Sequence, residues 1–228
     1  MRAGEADVVA IANAFRTPLS MISLEALHLG ETLADHRSAE VREALAGIAH
    51  HAALLTRLGA DLVDLVAINN QQFAIDRAPT AMRTLLAEAI ERTIPPRDVG
   101  RVTLDAPEPV TLVIDDQRIE RVVANLLQHA LEHAPRTWGI IVRLDVTSTR
   151  ARIAVTDVDA GMSIDAMTFV FDRYRPTAGA HPYDGQALGL YVSKRIVDAH
   201  GGVLGVERLV EGGSRCYFDL PRTDRSSR

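Results

Sequence analysis

Residues 116–135 read DQRIERVVANLLQHALEHAP, and this stretch decides how the second half of the 228-residue chain folds. Its apolar residues recur every three or four positions, which predicts an amphipathic helix over about residues 116–133. Asn125 and His129 are four positions apart on one face of this helix, and His133 continues that face. These three side chains are a candidate polar or metal site. However, no glutamate lies between the two histidines in the arrangement that zinc metalloproteases use.

Short β-like runs lie on both sides of this helix. They are Val102–Leu104, Val110–Ile114, Gly139–Val146, Arg152–Thr156, Val203–Val206 and Arg215–Leu220. Helical patterns lie between them, over about residues 80–92, 163–170 and 187–199. The region around Ser148-Thr149 predicts a hairpin turn, and Gly201 suits a left-handed residue after the last helix. Strands and helices mixed without strict alternation predict an α+β fold in which one sheet is covered by helices.

Two heptad seams occupy the first 69 residues of the chain. The seams run Ala12, Phe15, Leu19, Ile22, Ala26, Leu29, Leu33 and then Val41, Leu45, Ile48, Ala52, Leu55, Gly59, Leu62, Val66. This spacing predicts two long helices joined by a short loop as an antiparallel hairpin, with a bend at Pro18. A lone hairpin cannot cover both seams, so we expect a homodimer through residues 1–69 that forms a four-helix bundle. Packing of the seams on the chain's own second half is the alternative.

Composition excludes several classes of function. Lys and Arg total 25 against 30 Asp and Glu, a net charge of −5, and aromatic residues make up 4%. We therefore expect neither a phosphate-backbone surface nor a base-stacking platform, and hence no nucleic-acid partner. Residues 1–69 hold nine acidic residues against five arginines, which favours partners with a basic docking patch.

The expected location is the cytoplasm. Cys216 is the only cysteine, which excludes an internal disulfide and suits a reducing compartment. The N-terminus lacks the basic-then-apolar pattern of a secretory signal. No apolar run reaches the length that spans a bilayer, so we expect no membrane span.

Five segments carry a joint pattern across the chain. Besides the helix at 116–135, they are NAFRTPLSMI (13–22), DVDAGM (157–162), FDRYRP (171–176) and GQALGLYVSKRIVDAHGG (185–202). In this order they resemble the transmitter core of bacterial sensor histidine kinases over about residues 5–221. The resemblance implies a helical dimerisation and phosphotransfer-like domain at 1–69 and a GHKL-type α/β sandwich that binds ATP at 70–228. It also implies ATP and Mg²⁺ as cofactors, and a response regulator or a partner histidine kinase as the partner.

The resemblance further implies a nucleotide site with departures from the family pattern. The matching residues are Asn125, Asp157, Gly161, Gly185, Gly189, Leu190 and Arg173. In the family, Asp157 accepts the adenine amino group, and His129 stands where an asparagine holds Mg²⁺, for which imidazole is a poor substitute. Glu132 replaces a basic residue, and Asp159 and Ala187 replace glycines. Because unit charges 4 Å apart interact by about 1 kcal/mol even in water, we expect ATP binding to be lost or very weak.

The phosphorylated histidine of the family aligns with Asn13, and its acidic neighbour aligns with Ala14. A carboxamide nitrogen is no nucleophile, because its lone pair is delocalised into the carbonyl, so autophosphorylation is not expected at Asn13. This favours a non-catalytic pseudokinase that docks a response regulator or a kinase through the bundle. Three alternatives stay open: a response-regulator phosphatase using Thr17, an ordinary sensor kinase core with its histidine substituted, and a phosphotransfer protein. The candidate histidines of the last are His28, His50 and His51.

Overall fold

The chain forms two compact units, Met1–Phe73 and Ala74–Arg228, in the computed structural model of the protein. The structure describes residues 19–29, 39–70, 72–134, 137–157, 185–209 and 213–222. Within these ranges, none of the helices has a stretch that is both long and apolar enough to cross a membrane.

The first unit is helical in its described part. Helix α1 covers residues 19–29, and helix α2 spans Ala39–Asn69, which is 31 residues. One alanine of each seam is buried, Ala26 at 3% exposed and Ala52 at 4%. Other seam residues are exposed in the single chain, namely Ile22, Leu29, Ile48 and Leu55. The start of the predicted first helix and the bend at Pro18 lie outside the described residues, and the dimeric bundle stays a prediction.

Seven strands occur in the described part of the second unit. They are β1 (Ala78–Ala81), β2 (Val102–Asp105), β3 (Thr111–Ile114), β4 (Ile140–Val146), β5 (Arg150–Asp157), β6 (Val203–Arg208) and β7 (Ser214–Pro221). Five of them form one sheet in the order β2-β4-β5-β7-β6, with β2 parallel to β4 and the other neighbours antiparallel. Strands β1 and β3 pair antiparallel in a second, two-stranded sheet, so the expectation of a single sheet is corrected.

All six predicted strands are present, and β1 is the strand that the pattern missed. Its sequence, Ala78-Pro79-Thr80-Ala81, lacks alternating large apolar residues, and a proline has no N–H to give to a ladder. The strand exists because it pairs with β3, which no local pattern reveals. The predicted hairpin between β4 and β5 is confirmed, and its turn is closed by the Thr147 N–H, which donates to the Arg150 carbonyl at 2.8 Å.

Three long helices pack with these strands. They are α3 (Met82–Thr93), α4 (Asp116–His133) and α5 (Gly185–Ala199). Helix α4 lies between α3 and α5 and rests on β5, while α5 contacts β6 and β7. A short 3₁₀ helix, Pro96–Arg101, precedes β2. The helix predicted over 80–92 begins only at Met82, because Thr80 and Ala81 pair with β3, and the helix predicted over 163–170 lies outside the described residues.

Helix α4 has the predicted bounds for two local reasons. At its start the Asp115 carboxylate accepts the N–H of Arg118 at 3.1 Å, which caps the helix. Its end lies just ahead of Pro135, which disfavours helix in the residue before it. Helix α5 ends where Gly201 has a φ of 73°, the expected left-handed residue.

The core of the second unit lies between these helices and the five-stranded sheet. Its largest fully buried side chains include Phe218, Met82, Leu86, Ile119, Leu126, Ile140, Ile153 and Ile196. Burial of a side chain of this size stabilises a fold by about 1.5–3 kcal/mol. These contacts therefore hold α4 and α5, which carry most of the described candidate residues, firmly against the sheet.

Candidate functional site

The first candidate group is the carboxylate at the end of strand β5. Asp157 is 6% exposed and pairs in the ladder with Ser214, the first residue of β7. The backbone N–H and the hydroxyl of Ser214 both donate to Asp157 Oδ1 at 2.7 Å. An ionised carboxylate has about four acceptor sites, so two bonds on Oδ1 orient the group and leave capacity for a further donor.

Ser214 is a site residue that the sequence reasoning missed. It follows Gly213, whose φ of 90° marks a tight turn, and a serine directly after such a turn is the signal that sequence offers. The pairing with Asp157 is a matter of strand register, which one sequence does not reveal. Two residues further, burial raises the pKa of the Cys216 thiol to about 12, and the charge of Asp157 adds to this. The thiol is therefore neutral at physiological pH and is not a nucleophile.

Asn125 joins helix α4 to helix α5. Its Nδ2 donates to the Gly189 carbonyl at 2.9 Å and to the Ser193 hydroxyl at 3.1 Å, and that hydroxyl donates to the same carbonyl at 2.7 Å. Because both partners accept, the amide nitrogen must face α5. A Cβ on residue 189 would lie 3.1–3.2 Å from three side-chain atoms of Asn125, so the present position of that carboxamide suits a glycine there. Ser193, which is fully buried, was also missed by the sequence reasoning.

His129 lies one turn beyond Asn125 on the same helix. It is 6% exposed, and its ring meets that of the exposed His133 edge to face, with centroids 4.4 Å apart. Glu132 is exposed, and its Oε1 accepts a hydrogen bond from Gln128 Nε2 at 3.0 Å. Across the described ranges, no three or more His, Cys, Asp and Glu side chains are grouped so that they could hold a metal ion.

The structure describes six of the predicted site residues. They are Asn125, His129, Asp157, Gly185, Gly189 and Leu190. It brings Asn125 against Gly189, and it packs α4 on β5, the strand that ends in Asp157. Leu190 is 3% exposed and belongs to the core. The remaining predicted residues lie outside the described ranges, and these are Asn13, Thr17, Gly161 and Arg173, together with Asp159.

The described side chains suit the adenine ring of Mg²⁺-ATP but not its metal ion. The buried, oriented carboxylate of Asp157 is a suitable acceptor for the amino group of an adenine ring. Mg²⁺ prefers oxygen ligands in octahedral geometry, whereas residue 129 offers an imidazole, which suits zinc, copper and nickel. The nitrogen of Asn125 is committed to the Gly189 carbonyl. The residues therefore fit an adenine ring and do not fit Mg²⁺.

Comparison with known proteins identifies the fold of the second unit. Residues 114–224 match the family described as "Histidine kinase-, DNA gyrase B-, and HSP90-like ATPase". Sensor protein KdpD of Escherichia coli is 28% identical over 216 residues, which is 94% of this chain and 24% of KdpD. The adaptive-response sensory kinase SasA of Synechocystis is 27% identical over 74% of this chain and 45% of its own length. Sensor protein DivL of Caulobacter vibrioides is 27% identical over 92% of this chain and 27% of DivL.

Solved structures agree with this match. Full-length ShkA in complex with AMPPNP has a TM-score of 0.66 at 22% identity, over 96% of this chain and 46% of ShkA. The mycobacterial sensor histidine kinase MprB has a TM-score of 0.52 at 26% identity, over 63% of this chain and 97% of the MprB chain. The second unit therefore contains an α/β ATPase domain of the kind found in sensor histidine kinases. The chain spans less than half the length of the three sequence relatives, at 24%, 45% and 27%.

Proposed function

From the premise that residues 114–224 form an ATPase domain of the sensor histidine kinase kind, we propose that this protein is a non-catalytic regulator of two-component signalling. It docks a response regulator or a partner kinase through its helical first unit, and it does not phosphorylate itself. The observation that carries the proposal is Asn13, which aligns with the phosphorylated histidine of the family. A carboxamide nitrogen has no available lone pair, and the neighbouring Ala14 has no carboxylate to take a proton.

The nucleotide residues support the same proposal. ATP is the nucleotide that the family implies, and ShkA was solved with AMPPNP. Here the imidazole of His129 replaces the oxygen ligand of the metal, and its ring is buried against His133. A triphosphate that is bound without its cation loses binding free energy, and each 1.4 kcal/mol lost lowers the affinity tenfold. Weak binding of ATP fits a protein that does not use it as a phosphate donor.

Autophosphorylation with radiolabelled ATP and Mg²⁺ tests the proposal. The native chain should acquire no label of the phosphohistidine type, which survives alkali and is lost in acid. The variant Asn13→His restores the nucleophile alone, and it should also stay unlabelled. Ala14 still provides no carboxylate to take a proton, and His129 still provides no oxygen ligand for the metal. A mixture with an active sensor kinase controls for the assay conditions. Stoichiometric label on the native chain would end the proposal.

Phosphotransfer is a second candidate function, and one contact favours it. His51 is exposed on α2, and its Nδ1 lies 2.7 Å from the Gly47 carbonyl, which only a protonated Nδ1 can satisfy. That bond selects the tautomer whose Nε2 carries the lone pair, the form that attacks a phosphoryl group. His28 is also exposed, while the His50 side chain and Thr17 lie outside the described part of the chain.

A receiver domain carrying labelled aspartyl phosphate separates the three functions. A docking regulator leaves the label on the receiver, and a phosphatase releases it as inorganic phosphate. A phosphotransfer protein moves the label to itself. Thr17→Ala should abolish release if that residue orients the attacking water, and His51→Ala should abolish transfer, with His28→Ala as the matched control.

A further inference from the structure

We infer that this site recognises adenine nucleotides through the adenine ring and without Mg²⁺. The inference rests on the proposed nucleotide site and extends it. It names the ligand class as adenine nucleosides and their phosphates in metal-free form. Three features of the described residues lead to it, and they concern the metal position, the neighbouring oxygens and the adenine end.

The first feature is the fixed imidazole at the metal position. His129 is 6% exposed, and its ring contacts His133, so the imidazole is part of the packed helix face rather than a mobile surface group. An imidazole nitrogen is a softer ligand than the oxygens that Mg²⁺ takes, and Mg²⁺ gives up its waters reluctantly. The residue thus supplies neither the right atom nor the freedom to move aside.

The second feature is how few oxygens the same helix face offers to a hard cation. Asn125 faces α5 with its nitrogen, which is held by the Gly189 carbonyl and the Ser193 hydroxyl, so it can offer one oxygen at most. The nearest carboxylate along the face is Glu132, which is exposed and bonded to Gln128. Besides the oxygens of the phosphates, this face therefore offers Mg²⁺ no more than the one oxygen of Asn125.

The third feature is the adenine end, which is built independently of the metal. Ser214 holds Asp157 Oδ1 through two donors, both at 2.7 Å, and the pairing of β5 with β7 sets their register. Both donors belong to the protein chain itself. An exocyclic amino group donates to such a carboxylate, whereas the carbonyl of a hypoxanthine or guanine ring in the same place would meet another acceptor. Recognition of adenine therefore needs no metal here.

Calorimetric titration of the full chain with ATP, in Mg²⁺ and in EDTA, tests the inference. The dissociation constant should differ by less than about twofold between the two conditions, far from the tenfold that 1.4 kcal/mol produces. Adenosine should displace ATP. Binding that requires Mg²⁺ would overturn the inference, and so would the absence of any adenosine binding.

Two substitutions sharpen the test. His129→Asn restores an oxygen ligand and should make ATP binding at least about tenfold tighter with Mg²⁺ than with EDTA. His133→Asn, one turn along, is the matched control and should create no metal dependence. If ATP binding by His129→Asn were also independent of Mg²⁺, the imidazole at residue 129 would not explain the metal independence of the native chain. The argument from the metal position would then fail.

Asp157→Asn tests the adenine end and preserves the fold. Its oxygen can still accept both hydrogen bonds from Ser214, but its amide then presents N–H groups to the ligand. The variant should lose adenosine and gain inosine, so the ratio of the two dissociation constants reverses. An unchanged preference for adenosine would overturn this assignment. None of these binding results depends on Asn13, so they can fail while the proposed lack of autophosphorylation holds.

Discussion

Gly189 shows how closely one residue controls the packing of two helices. A Cβ at residue 189 would lie only 3.1–3.2 Å from the carboxamide of Asn125, which would have to shift to make room. Two side chains then share one carbonyl, because the Asn125 amide and the Ser193 hydroxyl both donate to that of Gly189. A glycine in a helix normally costs about 0.5–1 kcal/mol relative to alanine. Here the missing methyl group permits the hydrogen bonds that orient Asn125.

Gly189→Ala should therefore destabilise the second unit rather than stabilise its helix. The added methyl group forces Asn125 aside, and overpacking of this kind costs about 1–3 kcal/mol. Urea unfolding followed by the fluorescence of Trp138, the only tryptophan, measures the change. Gly100→Ala is the matched control because nothing lies within 4 Å of its added Cβ. Equal midpoints for the two variants would contradict the packing argument.

At the scale of elements, a buried cluster ties the start of the second unit to two of its helices. The N–H of Asp115, which caps α4, donates to His200 Nε2 at 3.0 Å, and His200 Nδ1 in turn bonds the Ile196 carbonyl at 2.7 Å. Asp76 donates its N–H to the Asp115 carboxylate at 2.9 Å, and Arg77 donates to the Ala199 carbonyl at 3.0 Å. The cluster requires a neutral His200, because Nε2 accepts a hydrogen bond.

The stability of the second unit should fall below neutral pH because of His200. Burial lowers its pKa below the usual 6.5; the charges of Arg77 and Arg118 add to this, against the opposing Ile196 carbonyl and Asp115. The unfolded chain then binds the proton first, so the stabilisation is complete above about pH 7 and is lost as the pH falls below 6.5 and through the lowered pKa of the folded chain. Unfolding free energies across this range should fall less steeply in His200→Gln than in the native chain.

His133→Gln is the control for that experiment, because His133 is exposed on α4. Its pH profile should match that of the native chain. A native profile without a decline between about pH 7 and pH 5, or an unchanged decline in His200→Gln, would contradict the role given to the buried imidazole.

The elements that sequence predicted well are those whose own residues determine them. Helix α4 has a strong apolar period and local end signals, so its bounds follow from residues 115–135 alone. Strand β1 depends on a partner that lies more than thirty residues away, and its own residues carry no pattern. The residues of the candidate site also differ in whether the local sequence reveals them. Asp157 follows a recognisable strand, whereas Ser214 and Ser193 become site residues only through β-sheet register and helix packing.

At the scale of the whole molecule, the described part of the first unit leaves several large apolar side chains exposed in the single chain. An apolar groove of about 420 Å³ is lined by residues of both helices, among them Leu19, Ile22, Ile48 and Leu55. Ile48 is 47% exposed and Leu55 is 51% exposed in the single chain. A second copy of the same seam would cover them, which is the basis for the proposed dimer. The acidic excess of residues 1–69 would then be doubled around one bundle.

Leu55→Glu should convert this dimer to a monomer. The change places a charge in the centre of the apolar seam, where burial without a partner is strongly unfavourable. Light scattering after size exclusion measures the mass. Leu27→Glu is the matched control, since Leu27 is 57% exposed but lies off the seam, and it should leave the dimer intact. A native chain with the mass of one protomer would refute the dimer.

The single cysteine has a consequence for measuring how the sheet opens. Cys216 is 6% exposed on β7, between Val155 of β5 and Val206 of β6, and its thiol is protonated at ordinary pH. A thiol reagent can reach it only when this part of the second unit opens, so the rate of modification reports the population of opened molecules. Because the chain has no other cysteine, mass spectrometry would follow this opening at one known position without any substitution.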